Sequence, residues 1–127
     1  MSEYLEQCAV VRWFKLQYPA FKGCLFAIPN GSHLAGTPIQ RAKKVQRMKA
    51  EGFTPGVSDL FLMLPRGSYA GLWIEMKKKK YSPSDVSEEQ RAFIERAKQQ
   101  GYQAVVCGGF EAAQQVIREY LEVAQCA

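Results

Sequence analysis

Four stretches with helical periodicity and four short apolar runs, interleaved along one chain, predict an α/β domain with a mixed central sheet flanked by helices. The helical stretches carry apolar residues at three- and four-residue spacing and have their own start or stop residues. The apolar runs are bounded by glycine, proline and asparagine. Two of them follow each other closely across Pro65-Arg66-Gly67-Ser68, so this pair is expected to be antiparallel.

Residues 3–17 read as the first helix. Leu5, Cys8, Val11 and Phe14 recur at helical spacing, Glu6, Val10 and Trp13 share the neighbouring stripe, and Tyr18-Pro19 closes the segment. Cys24-Leu25-Phe26-Ala27-Ile28 is an apolar run ended by Pro29-Asn30-Gly31, which predicts a buried strand. Thr37-Pro38 supplies an N-cap followed by proline at the first helical position, and Gly52 a stop. Residues 39–51 are therefore expected as a helix with a thin apolar side of Ile39, Ala42 and Val45.

Phe53-Thr54-Pro55-Gly56 leads into the hairpin strands at 60–64 and 72–76. A polar loop at 78–85 follows, and Ser87-Glu88-Glu89-Gln90 matches the capping box that opens a helix. Phe93, Ile94 and Ala97 form that helix's core side as far as Gly101. Ala104-Val105-Val106-Cys107 predicts the last strand and Gly108-Gly109 a turn. Residues 110–123 close the chain as an amphipathic helix with Ala113, Val116, Ile117, Tyr120 and Leu121 inward.

A chain of 127 residues is expected to form one domain, residues 1–127, with a core large enough to dispense with disulfides. No apolar run approaches the roughly 18 to 20 residues of a membrane span, and the start of the chain lacks the charged-then-apolar signal pattern, so a cytoplasmic protein is expected. Cys8, Cys24, Cys107 and Cys126 show no zinc spacing, and His33 is the single histidine. They read as reduced thiols, mostly buried.

The net charge is +5, from 17 basic and 12 acidic residues, and the excess is clustered. Arg41, Lys43, Lys44, Arg47 and Lys49 make one group, and Lys77 to Lys80 another. Such clusters in a small domain suit a polyanion, nucleic acid above all, or else a solvated face.

The hairpin carries the chemistry. Pairing about a centre near Gly67 sets Asp59 opposite Glu75. Side chains alternate along a strand, so Trp73, Glu75 and Lys77 share one face while Leu72, Ile74 and Met76 take the other. Two converging carboxylates offer the hard oxygens that magnesium prefers, and the backbone carbonyl of Met76 is a third candidate ligand. A cation there activates water and polarises a phosphoryl oxygen, and an adjacent lysine orients the nucleophile or offsets developing charge. The plainer alternative is an ion-paired strand face, with Lys77 neutralising Glu75 or Asp59. Trp73 is expected to pack beneath this face.

Pro55-Gly56-Val57-Ser58-Asp59 followed by Glu75-Met76-Lys77 resembles the PD-(D/E)xK nuclease signature, with Gly-Val-Ser inserted between the proline and the aspartate. The wider ordered set is similar to the virus-type replication-repair nuclease (VRR-NUC) family over nearly the whole chain. That set comprises Glu6, Ile28-Pro29-Asn30-Gly31, residues 51–60, Glu75-Met76-Lys77 and Gln90. The resemblance implies a restriction-endonuclease-like core, α-β-β-β-α-β, with one inserted basic helix and one terminal helix. It implies that Asp59 and Glu75 bind Mg2+ or Mn2+, that Lys77 positions the attacking water, and that Glu6 is a further ligand.

Gln90 is expected near the site as well as in its cap, and Asn30, Gly31 and His33 are candidates for substrate contact. Lys78, Lys79 and Lys80, with Arg41, Lys43, Lys44 and Arg47, are expected to track the DNA backbone. The implied activity is a metal-dependent, structure-selective DNA endonuclease acting as a homodimer on branched DNA such as Holliday junctions, in a phage or bacterial setting. A nickase or flap nuclease with the same residues, or a non-catalytic DNA-binding module, are the rival readings.

Overall fold

The computed structural model describes residues 1–29 and 34–124. Asn30, Gly31, His33 and Cys126 lie outside the described residues. The elements follow the expected order: α1 (Glu3–Gln17), β1 (Leu25–Ala27), α2 (Pro38–Ala50), β2 (Leu60–Leu62), β3 (Leu72–Lys77), α3 (Glu88–Gln99), β4 (Gln103–Gly108) and α4 (Phe110–Glu122). Short 3-10 turns at Pro19–Phe21 and Pro83–Asp85 occupy what the sequence left as connections.

The four strands form one sheet in chain order. β1 and β2 are antiparallel, as are β2 and β3, whereas β3 and β4 run parallel. Parallel neighbours need a crossover, and α3 supplies it. In the hairpin Leu60 faces Ile74, Phe61 faces Trp73 and Leu62 faces Leu72, the expected register. The connection is longer than a tight turn: β2 ends at Leu62, and Arg66 and Tyr69 then exchange backbone hydrogen bonds of 3.1 and 2.9 Å around Gly67. Gly67 has φ +54°, a conformation that glycine takes without a Cβ clash.

The sheet separates two cores. Leu72, Ile74 and Met76 point to the face covered by α1 and α4, where they pack with Val10, Phe14, Ile117 and Tyr120. On the opposite face Trp73 lies over Phe61 (ring centroids 4.3 Å apart) and Phe93 (5.0 Å), beneath α3 with Ile94, Ala97 and Ala104. Trp73 is thus a packing residue.

The inward stripe of α1 is Glu6, Val10 and Phe14, while Leu5 and Cys8 are exposed. The buried stripe thus draws on both sets that recur at helical spacing, Glu6 and Val10 from one and Phe14 from the other. A carboxylate is tolerated on the buried side because it has a buried donor there, the backbone N–H of Phe110. Among the described cysteines only Cys107 is buried, and all three are free thiols, which corrects the expectation that most are buried.

No residue of α2 is buried, and Ile39 is 71% exposed. Its expected apolar side therefore does not exist as a packed face. An isolated helix of this length is marginal in water, so local devices hold it. Thr37 and Gln40 form a reciprocal capping box, and the Arg41 and Lys44 side chains donate to the carbonyls of Gly36 (2.7 Å) and Ala35 (3.0 Å). Among the described residues no helix is long and apolar enough to cross a membrane.

Candidate active site

The hairpin and the start of α3 converge on one constellation. Asp59 stands at the entrance to β2, where its backbone carbonyl accepts the Ile28 N–H at 2.9 Å and ties the end of β1 to it. Its side chain turns across the hairpin, and Oδ2 accepts the Met76 N–H at 2.7 Å. That bond holds Asp59 against the strand segment bearing Glu75 and Lys77, as the register requires.

Gly56 fixes the approach. Its φ is +89°, and a Cβ there would collide with the Glu89 carbonyl and lie 2.8 Å from the Gln90 nitrogen. Only glycine lets the loop before Asp59 lie flush on the first turn of α3. Gln90 is thereby brought to the site.

Gln90 does two jobs at once. Its N–H donates to Ser87 Oγ (3.1 Å) and its Oε1 accepts the Ser87 N–H (2.9 Å), the reciprocal capping box that starts α3. The same Oε1 accepts from Lys77 Nζ at 3.1 Å, and Nε2 donates to Glu75 Oε2 at 3.3 Å. The helix cap and the charged cluster are one network.

Lys77 is 8% exposed and Glu75 2% exposed. Among the described residues the ion pair formed is Lys98 with Glu95, on the surface of α3. The ammonium of Lys77 is therefore held by an amide oxygen and not by either carboxylate, so the ion-paired strand face expected as the plain alternative is not what forms. Glu75 Oε1 is left buried with no partner, and so is Ser58 Oγ next to Asp59. Buried polar atoms without partners are rare in native folds, and where they occur a water, an ion or a catalytic role accounts for them.

Burial, above all, pushes the Glu75 carboxyl up to about 9, and the hydrogen bond and charge of Asp59 add to it, with Lys77 opposing and Glu3 adding a little more. Glu75 therefore keeps its proton far above the usual carboxylate range. Glu3 is also raised, by burial first, while the charges of Lys77, Asp59 and Asp85 act on it.

Glu6, expected as a further ligand, is 6% exposed and accepts the Phe110 N–H at the start of α4. It stabilises that helix end, where orphan donors and the positive end of the dipole favour an anion. Glu3 lies three residues earlier, is exposed, and feels the charges of Lys77, Asp59 and Asp85.

The donor set fits a hard divalent cation. Among the described residues no three acidic, histidine or cysteine side chains lie close enough to hold a metal by themselves. A cation at Asp59 and Glu75 would complete its shell with backbone carbonyl, water and phosphate oxygens, the pattern of magnesium sites. The unpartnered Glu75 Oε1 beside Asp59 is the feature such an ion would satisfy.

Lys78, Lys79 and Lys80 follow directly from β3 and are exposed, as are Arg41, Lys43, Lys44 and Arg47 on α2. Arg41 and Lys44 are already bonded to carbonyls of the preceding loop.

The VRR-NUC domain model matches residues 1–111. A solved structure of a VRR-NUC domain protein superposes with a TM-score of 0.82 at 26% sequence identity, over 98% of this chain and 92% of that one. Among curated proteins nothing matches the chain. With the four-stranded mixed sheet, the Asp59 and Glu75 pair and Lys77 on the same hairpin, the family match places the chain in the VRR-NUC family of nuclease-type, DNA-processing domains.

Proposed function

We propose that this protein is a Mg2+- or Mn2+-dependent endodeoxyribonuclease that hydrolyses phosphodiester bonds in branched DNA such as four-way junctions. The observation that carries the reading is the buried Glu75 Oε1, unpartnered beside Asp59 on the strand that also presents Lys77. Asp59, Glu75 and the backbone carbonyl of Met76 would hold the metal, with Glu3 the α1 carboxylate nearest to them in its electrostatics. When bound, the metal lowers the pKa of a coordinated water and polarises a phosphoryl oxygen.

The chain's own residues do the rest. Gln90 Oε1 fixes the ammonium of Lys77, which then orients the attacking water or offsets charge developing on the phosphate. Gln90 Nε2 steadies Glu75 Oε2, leaving Oε1 for the metal. Lys78, Lys79 and Lys80, with Lys43 and Arg47 of α2, contact phosphates and position the DNA without reading its sequence.

A homodimer suits this substrate, since a two-fold pair presents two related sites to a four-way junction. The outward side of α1, where Tyr4, Cys8 and Leu16 are exposed, offers an apolar surface for it.

The test is cleavage of labelled junction, flap, single-stranded and linear duplex DNA with Mg2+ or Mn2+, by wild type and Glu75→Ala. Wild type is expected to cut branched DNA preferentially and the variant to lose cutting. A wild type that cuts none of the four, or a variant that cuts equally well, defeats the reading.

A further inference from the structure

We propose that a cleft beside Gln90 receives one unpaired nucleobase of the DNA substrate, next to the phosphate being cut. The inference rests on the nuclease reading above and specifies what the site recognises. The cleft has a volume of about 700 Å³, within the ordinary range of small-ligand pockets. It lies between the end of β1, the last turn of α2, the loop before Asp59 and the first turn of α3.

Gln90 lines the cleft and also bonds Glu75 and Lys77, so cleft and catalytic cluster are one side chain apart. The loop wall is rigid where it matters, because Gly56 lies flush on Glu89 and Gln90.

The lining decides the occupant. Ile28, Met48, Phe53, Pro55 and Val57 make it largely apolar, with Phe53 supplying an aromatic face. The charged groups lining it are Glu51 and Glu89, and neither forms an ion pair with a described residue. Two carboxylates, with no cation among the described lining residues, repel a phosphate. They accept hydrogen bonds from the exocyclic amino group of cytosine, adenine or guanine, which thymine lacks.

The cations that would hold the backbone stand outside, on α2 and after β3. A nucleotide with its phosphates on those cations and its base turned inward satisfies both surfaces. Turning a base out of a duplex costs a few kcal/mol and least where it is already unpaired, so the cleft would itself select DNA with unpaired nucleotides near the cut.

The experiment scans an abasic residue along the strand of a junction or flap and measures affinity with Ca2+ replacing Mg2+, so that no strand is cut. One position is expected at which the abasic residue costs on the order of tenfold in affinity, the size of one base's stacking contribution. Phe53→Ala should cost a similar factor on intact DNA and nothing further on the abasic strand, since both remove the same contact. At that position cytosine or adenine should bind better than thymine, and the exposed-rim change Glu89→Gln, with Glu51→Gln, should abolish the preference.

No sensitive position, or losses that add, overturns the proposal. Wild-type cleavage of intact DNA with Mg2+, measured alongside, separates the two readings. Cleavage without a sensitive position leaves the nuclease standing and removes the base from the cleft. A sensitive position without cleavage keeps base binding in the cleft but defeats the nuclease reading and with it the placement beside a cut phosphate, and neither cleavage nor a sensitive position defeats both.

Discussion

Replacing Glu75 by glutamine should remove from the metal-free protein one contribution that weakens the wild type as pH rises, and the sign follows from the raised carboxyl of Glu75. Glu75 is raised from its ordinary value of 4.5 to about 9, by burial first and then by Asp59. Between those two values the folded state retains a proton that the unfolded chain has released. The stabilisation is complete below about 4.5 and is lost as pH rises towards about 9.

One retained proton gives a slope of about 1.4 kcal/mol per pH unit, so moving from pH 6 to pH 8 should cost the wild type about 2.7 kcal/mol more than the variant. That figure depends on the two pH values lying inside the window and not on where its upper edge falls. Other titrating groups are common to both proteins and cancel in the difference.

Urea unfolding in chelator at the two pH values measures it. A difference between wild type and Glu75→Gln that does not change from pH 6 to pH 8 would refute the proton retained on Glu75. Adding Mg2+ at pH 8 should then stabilise the wild type by mass action, while the variant, lacking the carboxylate, gains much less.

Three further outcomes are expected. Gln90→Ala should lower stability by about 0.5 to 1.5 kcal/mol through loss of its reciprocal capping bond, and should reduce the cleavage rate by more than that stability loss explains; stability curves and single-turnover rates report the two separately. Glu3→Gln should slow cleavage with little effect on unfolding, whereas Glu6→Ala should cost about 1.5 to 3 kcal/mol of stability by orphaning the Phe110 N–H at the start of α4; equal effects of the two on cleavage would return Glu6 to the site. The triple change Lys43→Ala, Lys44→Ala, Arg47→Ala should leave the sheet and its two cores intact, because none of the three is buried, and should weaken α2 only through loss of the Lys44 bond to the Ala35 carbonyl. It should also lower the slope of log affinity against log salt by about 2 to 3 on duplex DNA, and an unchanged slope would make α2 a solvated surface.

The hairpin was legible because strand periodicity is unforgiving: a one-residue slip would have put Leu72, Ile74 and Met76 on the α3 face and Glu75 in the main core. Hence the pairing of Leu60 with Ile74 and the meeting of Asp59 with the Glu75 strand followed from residue types alone. Helical periodicity constrains less. On α1 two adjacent stripes each carried apolar residues, and what chose between them was a contact with residue 110, far along the chain. The same long-range partner accounts for the burial of Glu6. On α2 the apolar positions 39, 42 and 45 step steadily round the helix, and among the described residues Ile39 and Ala42 stay exposed while Val45 is half-buried.

Gln90 shows why a residue with a complete structural explanation can still belong to a site. Its capping box accounts for one oxygen and the backbone nitrogen, yet an amide oxygen has two lone pairs and the amide nitrogen two hydrogens. The remaining capacity goes to Lys77 and Glu75. Because the oxygen that caps Ser87 also holds the ammonium, the start of α3 cannot fray without releasing Lys77. The positional accuracy that the lysine needs is therefore borrowed from a helix terminus already fixed by Ser87 and by the close approach of Gly56. A buried carboxyl with an unpartnered oxygen costs stability, and Glu75 Oε1 is such an atom. Packing alone would favour an apolar residue at position 75, and the metal-dependent reading proposed above gives that oxygen a partner.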